Sequence, residues 1–128
     1  MADKDRWERG QEMLQKVYAG DVVTAPRGMM PFSDIMLEQL FAEVWTREDI
    51  LPMRDRRLLM LGSICAMGES MTFRIQMKAA LKNGELEPDQ AREVLIHLAQ
   101  YAGYPRVASL VGVVEEVIAE VAKETAGD

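Results

Sequence analysis

From Leu86 to Arg106 the chain reads LEPDQAREVLIHLAQYAGYPR, a stretch that permits little besides a helix, a sharp break and a second helix. Pro88 falls in a first turn, where the amide it lacks would be unpaired anyway. Glu87, Asp89 and Glu93 bring negative charge to the positive end of the helix dipole. Ala91, Val94, Leu95, Leu98 and Ala102 recur three and four residues apart and define one buried stripe. Gly103 closes this helix and Pro105 opens the next. His97, the one histidine of the chain, lies on the flank of the stripe, one turn from Val94 and one turn from Tyr101. It is expected at the edge of the core, where a side chain can border a pocket.

The same helical spacing runs through the rest of the chain. Asp3 to Tyr18 reads as a first helix with Trp7, Leu14 and Val17 or Tyr18 on one edge, stopped by Gly20. Asp21 to Pro31 reads as a loop, with Pro26, Gly28 and Pro31. Ser33 is the expected N-cap of a second helix that buries Leu37, Leu40, Phe41 and Val44. Pro52 introduces a third, Met53 to Met67. Its second half is apolar nearly all round, the pattern of a helix buried on most sides. Ser70 is the expected cap of a fourth, Met71 to Lys82, with Phe73, Met77, Ala80 and Leu81 inward and Asn83-Gly84 as its stop. The last runs from Pro105 to about Glu124. It is rich in β-branched residues, yet Val107, Leu110, Val111, Val114, Val117 or Ile118, and Val121 follow helical spacing, with Glu115, Glu116 and Glu120 opposite. The expectation is an all-α fold, a compact bundle of about six helices in one domain, 1–128, without linker or internal repeat.

Composition narrows the function classes. A net charge of −6 argues against nucleic acid, since phosphate binding needs a concentrated basic surface. The longest apolar run, Leu58 to Met67, is too short to cross a bilayer, so no membrane role is expected. The N-terminal MADKDRWERG has no apolar signal core, and a single cysteine suits a reducing compartment; both point to the cytoplasm. No G-x-G-x-x-G or Walker sequence is present, and one histidine with one cysteine cannot build a closed zinc site, so no cofactor is expected. Ten methionines and an aliphatic core suit helix packing better than sheet packing.

Several residues carry chemistry in principle. His97 has two readings: a structural histidine bonded to a carbonyl or carboxylate, or a general acid/base beside a substrate oxygen. Cys65, within SICAM, has no basic residue within one turn and reads as core. Glu43 stands beside Val44-Trp45. With Asp34 and Glu38 it forms the solvated side of its helix, or else it lines a pocket. Arg47, Arg54, Arg56 and Arg57 crowd the start of the third helix. They are expected to pair with Glu48, Asp49 and Asp55, or, through Arg47 or Arg54, to clamp a substrate carboxylate. Trp45, Tyr101 and Tyr104 supply an apolar wall to a site, or contacts between subunits.

The segments VWTREDILPMRDRRLLML (Val44 to Leu61), AALKNG (Ala79 to Gly84) and EVLIHLAQYAGYP (Glu93 to Pro105) together resemble the carboxymuconolactone decarboxylase family, which includes the alkylhydroperoxidase D-like thiol proteins. The resemblance covers most of the chain. It implies the alkylhydroperoxidase D-like helical fold and a homotrimer or homohexamer with pockets near subunit contacts. The thiol branch of that family carries C-x-x-C-x-x-x-H on its fourth helix. Counting back from AALKNG, those positions here are Glu69, Thr72 and Gln76, so disulfide-based peroxidase chemistry by that route is excluded. The decarboxylase branch usually keeps a histidine where Gln76 stands, and glutamine hydrogen-bonds but does not titrate. The resemblance implies a cofactor-free lyase acting on a small carboxylated lactone or related acid. His97 is then the proton donor or oxyanion partner, Gln76 a hydrogen-bond donor, Glu43 an orienting acid, and Arg47 or Arg54 the carboxylate clamp beside Trp45 and Tyr101. The alternatives are a non-catalytic oligomeric binder of small acids and, more remotely, a peroxidase using Cys65.

Overall fold

The computed structural model describes residues 4–127. The chain is all-α, as its spacing predicts. α1 is Arg6–Val17, α2 Pro31–Ile35, α3 Met53–Met67, α4 Ser70–Lys82, α5 Pro88–Ala102 and α6 Tyr104–Ala126. α2 runs on without a break into a π-helical segment, Met36–Val44. The expected start of the first helix at Asp3 lies outside the described residues. The sequence reads as one domain; its residues pack as two compact units, Met1–Arg56 and Arg57–Asp128, and the boundary falls inside α3.

In the first unit, Asp5 caps α1 by accepting from the Glu8 amide at 2.9 Å. Leu14 and Val17 of α1 are buried, as are Leu37, Phe41 and Ala42 of the π segment. The two helices pack so closely that a β-carbon at Gly10 would overlap the backbone carbonyl of Leu37. The second helix begins earlier than expected. Pro31 occupies its first turn, where proline fits, and Ser33 is a buried residue inside the helix instead of its cap.

The second unit holds a continuous core. Leu61, Ile64 and Cys65 of α3 meet Phe73, Met77 and Ala80 of α4, Leu95 and Ala99 of α5, and Val107, Leu110, Val114 and Val117 of α6. α3 is less enclosed than its composition suggests: Leu61, Ile64 and Cys65 are buried, but Leu59 and Met67 lie about two-thirds exposed, at 65% and 67%. Gly68, at φ 74°, ends α3 in the left-handed region that suits glycine. The cap of α4 is Glu69, not Ser70. Its carboxylate accepts from the Met71 amide at 3.2 Å and the Thr72 amide at 2.8 Å. The Glu87 amide donates to the Gln90 side chain at 2.9 Å at the start of α5.

α4 and α6 run parallel and are laced by a ladder of charges. Arg74 pairs with Glu116 and Glu120, Lys78 with Glu120 and Glu124, and Lys82 with Glu124. Each member is four residues beyond the last on its own helix, so both rows face each other along the contact. α5 and α6 form an antiparallel hairpin through Gly103. Arg92 joins them by pairing with Glu115 at 2.8 Å, and it also holds Asp89 at 2.9 Å.

Candidate functional site

The most enclosed polar cluster lies in the second unit. Arg57 has no solvent exposure, because it sits on the buried face of α3 with Leu61, Ile64 and Cys65. Its Nε donates to Glu85 Oε1 at 2.9 Å and its Nη2 to Glu85 Oε2 at 3.2 Å. Its Nη1 donates to Gln76 Oε1 at 2.5 Å. Gln76 is likewise fully buried, one turn from Phe73 on α4. Asn83 Nδ2 donates to Glu85 Oε2 at 3.2 Å and ties in the turn after α4. Among the described residues no buried side-chain nitrogen or oxygen lacks a partner. A buried charge held by a bidentate carboxylate and a neutral amide is a satisfied network, and it ties α3 to α4 and to the turn that follows α4.

Gln76 is therefore a candidate site residue that the structure encloses. Its carbonyl oxygen is held by Arg57, and neither side chain is open to solvent. Arg57 is the residue that sequence reasoning misplaced. It was expected to pair at the surface with Glu48, Asp49 or Asp55; its partner is Glu85, and Glu48 pairs instead with Lys16 at 3.0 Å. The signal was present: Arg57, Leu61, Ile64 and Cys65 stand at i, i+4, i+7 and i+8, one face of a helix.

His97 is exposed on α5 and stacks obliquely on Tyr101, with ring centroids 5.1 Å apart. Tyr101 is 81% exposed. The two form one small imidazole–phenol patch on the outer face of α5. Glu43, Trp45, Arg47 and Arg54 belong to the first unit. Glu43 is half-exposed and lies 3.0 Å from Arg6 Nε and 3.8 Å from Arg9 Nη2. Trp45 is buried and stacks on Phe41, with centroids 6.4 Å apart and planes 7° from parallel; it belongs to the core of that unit. Arg47 is exposed, and its backbone carbonyl accepts from Arg56 Nη2 at 2.9 Å. Arg54 is exposed at the start of α3. The structure thus brings His97 to Tyr101, and it sets Gln76 and Glu85 on different nitrogens of Arg57.

An apolar groove of about 410 Å³ runs between α5 and α6. Ile96, Ala99, Val107 and Val111 line it, with Arg92 and Glu115 at one end and Gln100 with Tyr104 at the other. Gln100 donates to the Tyr104 hydroxyl at 2.8 Å. Cys65 is buried, and burial raises its thiol above the usual range, which leaves little of the reactive thiolate. Among the described residues no group of three or more histidine, cysteine, aspartate or glutamate side chains could hold a metal ion. No helix among them is long and apolar enough to cross a membrane.

Residues 31–116 match the carboxymuconolactone decarboxylase family, a span that reaches into both units. Over 122 residues the chain is 26% identical to the 4-carboxymuconolactone decarboxylase of Acinetobacter baylyi, covering 91% of this chain and 90% of that protein. No solved structure matches it.

Proposed function

Because the chain belongs to the carboxymuconolactone decarboxylase family, we propose that it is a cofactor-free carboxy-lyase acting in the cytoplasm on a small carboxylated lactone, or a related acid, from aromatic-compound breakdown. The observation that carries this reading is the similarity, over nine-tenths of both chains, to a protein named for that reaction. In such a reaction the bond to the leaving carboxylate breaks. Its electron pair spreads as a dienolate onto the lactone carbonyl, carbon dioxide departs, and a proton returns to carbon. The protein must stabilise the carbonyl oxygen and deliver that proton. His97 is the one imidazole of the chain and is open to solvent beside Tyr101, which supports it as the proton donor or oxyanion partner. Arg47 or Arg54 is the carboxylate clamp, a role that the planar guanidinium fork suits. Glu43, held by Arg6 and Arg9, is the orienting acid, and Trp45 stiffens its segment from the core side. Gln76, the hydrogen-bonding residue of this reading, is held in place from inside the second unit, where its side-chain oxygen accepts from Arg57. Assembly as a homotrimer or homohexamer is supported by the apolar side chains that the chain leaves exposed, among them Phe32, Ile96, Tyr104 and Val111.

The test is decarboxylation of 4-carboxymuconolactone, followed as loss of ultraviolet absorbance. Wild type is expected to turn over, and His97→Ala to lose about 100-fold or more in rate, the usual scale of a lost general acid. A folded wild-type protein without turnover would sink the proposal.

A second reading has one specific observation in its favour. The buried Arg57–Gln76 contact leaves α4 no titratable group at position 76, as befits a member that binds a small acid without transforming it. Binding of the same lactone by calorimetry, with no carbon dioxide released, is the outcome that separates this reading from the first.

A further inference from the structure

We infer that Arg57 decides what position 76 of α4 can carry: a neutral or anionic group that turns an acceptor atom toward the guanidinium, never one that is charged by protonation. Arg57 lies wholly inside the second unit, and Gln76 is equally shut off from water. Glu85 engages one edge of the guanidinium through Nε and Nη2, and Gln76 Oε1 meets the remaining nitrogen, Nη1. A guanidinium has no lone pair to offer and keeps its proton inside proteins. The atom facing Nη1 must therefore supply a lone pair. Glutamine does so through its amide oxygen and adds no charge.

An imidazole at this position would have to turn an unprotonated nitrogen toward Nη1, and an imidazole that accepts in this way is neutral. Protonating it would set two cations side by side where water cannot screen them, against the cost of burying charge. Glu85 does not reverse the preference, because its carboxylate is bound on the other edge of the fork and its charge already answers that of Arg57. A chain that decarboxylates must still return a proton to carbon, and in this chain position 76 cannot supply it. The inference goes beyond the lyase reading, and it is tested without any substrate.

The experiment places Gln76→His in a His97→Gln background, so that one imidazole remains and its carbon-bound proton is followed by NMR across pH. The same substitution is made beside Arg57→Gln with Glu85→Gln, which remove the ion pair as a unit. The imidazole is expected to titrate about one pH unit or more lower beside the intact Arg57 than in the neutralised background. Equal midpoints, or a higher midpoint beside Arg57, would overturn the inference. Should the histidine variants not fold, Gln76→Glu and Gln76→Lys in the wild-type background, compared by urea unfolding at neutral pH, keep the question decidable. Glutamate is expected to hold the urea midpoint well above that of lysine, and lysine equalling or exceeding glutamate refutes the assignment.

Discussion

At the scale of single residues, the buried Arg57–Glu85 pair and the exposed His97 ask for opposite experiments. Removing one partner of a buried ion pair strands the other, so Arg57→Ala is expected to cost about 3–5 kcal/mol in urea unfolding; a loss below about 1 kcal/mol would mean that water reaches Glu85 freely. His97 makes its ring contact at the surface, so His97→Ala should alter stability by no more than about 0.5 kcal/mol. A loss of turnover in that variant would then belong to chemistry and not to unfolding. Both residues were visible in the sequence in different degrees. His97 was expected at the edge of the core from its position on the flank of the α5 stripe; it lies exposed beside Tyr101, outside the lining of the α5–α6 groove. Arg57 was hidden because its charge suggests the surface, although its spacing with Leu61 and Ile64 puts it on the inner face. Which acid would meet it was not legible, since Glu85 lies 28 residues away and its position depends on how the turn after α4 folds back.

At the scale of elements, the ends of the helices set testable limits. Hydrogen bonds from Thr72, first from its side chain and then from its backbone, hold the Glu69 carboxyl below its ordinary value of 4.5. A carboxylate depressed in the folded state stabilises it fully above the unfolded value, and that contribution disappears as pH falls through the lower, folded one. Glu69→Gln should therefore lower stability at neutral pH and narrow the gap to wild type as the solution is acidified below about pH 4.5. Urea midpoints from neutral to acid pH check this, and a gap that stays constant would show that Glu69 does not cap α4 as an anion. In the first unit, Gly10→Ala drives a methyl group into the Leu37 carbonyl. It should destabilise the packing of α1 on the π segment by about 2 kcal/mol or more, read from chemical denaturation; an unchanged midpoint would mean that these helices separate easily. The π-helical hydrogen bonding of Met36–Val44 was not legible, because the same apolar spacing serves an α-helix nearly as well.

At the scale of the molecule, the charged and apolar surfaces answer to different probes. The ladder of Arg74, Lys78 and Lys82 against Glu116, Glu120 and Glu124 is only partly shielded, so high salt should weaken it, and Lys78→Met should cost no more than about 1 kcal/mol. Apolar side chains left open along the α5–α6 groove are of the kind that copies of one chain cover in an assembly. Ile96→Lys with Val111→Glu is expected to reduce the mass measured by light scattering while the helical circular dichroism is kept. An unchanged mass would place any interface elsewhere.

Most helix positions, though not the start of the second helix at Pro31, their stops at Gly68, Asn83-Gly84 and Gly103, and the all-α class were determined by the sequence alone. Those features depend on residues within a turn or two of each other, where backbone sterics and apolar spacing act directly. Tertiary structure alone decided that Leu59, Met67 and Val111 stay exposed despite their apolar character and that Arg57 closes on Gln76 and Glu85. Burial and pairing are set by neighbours that are distant along the chain, and a buried guanidinium takes whichever acceptors the packed helices bring to it.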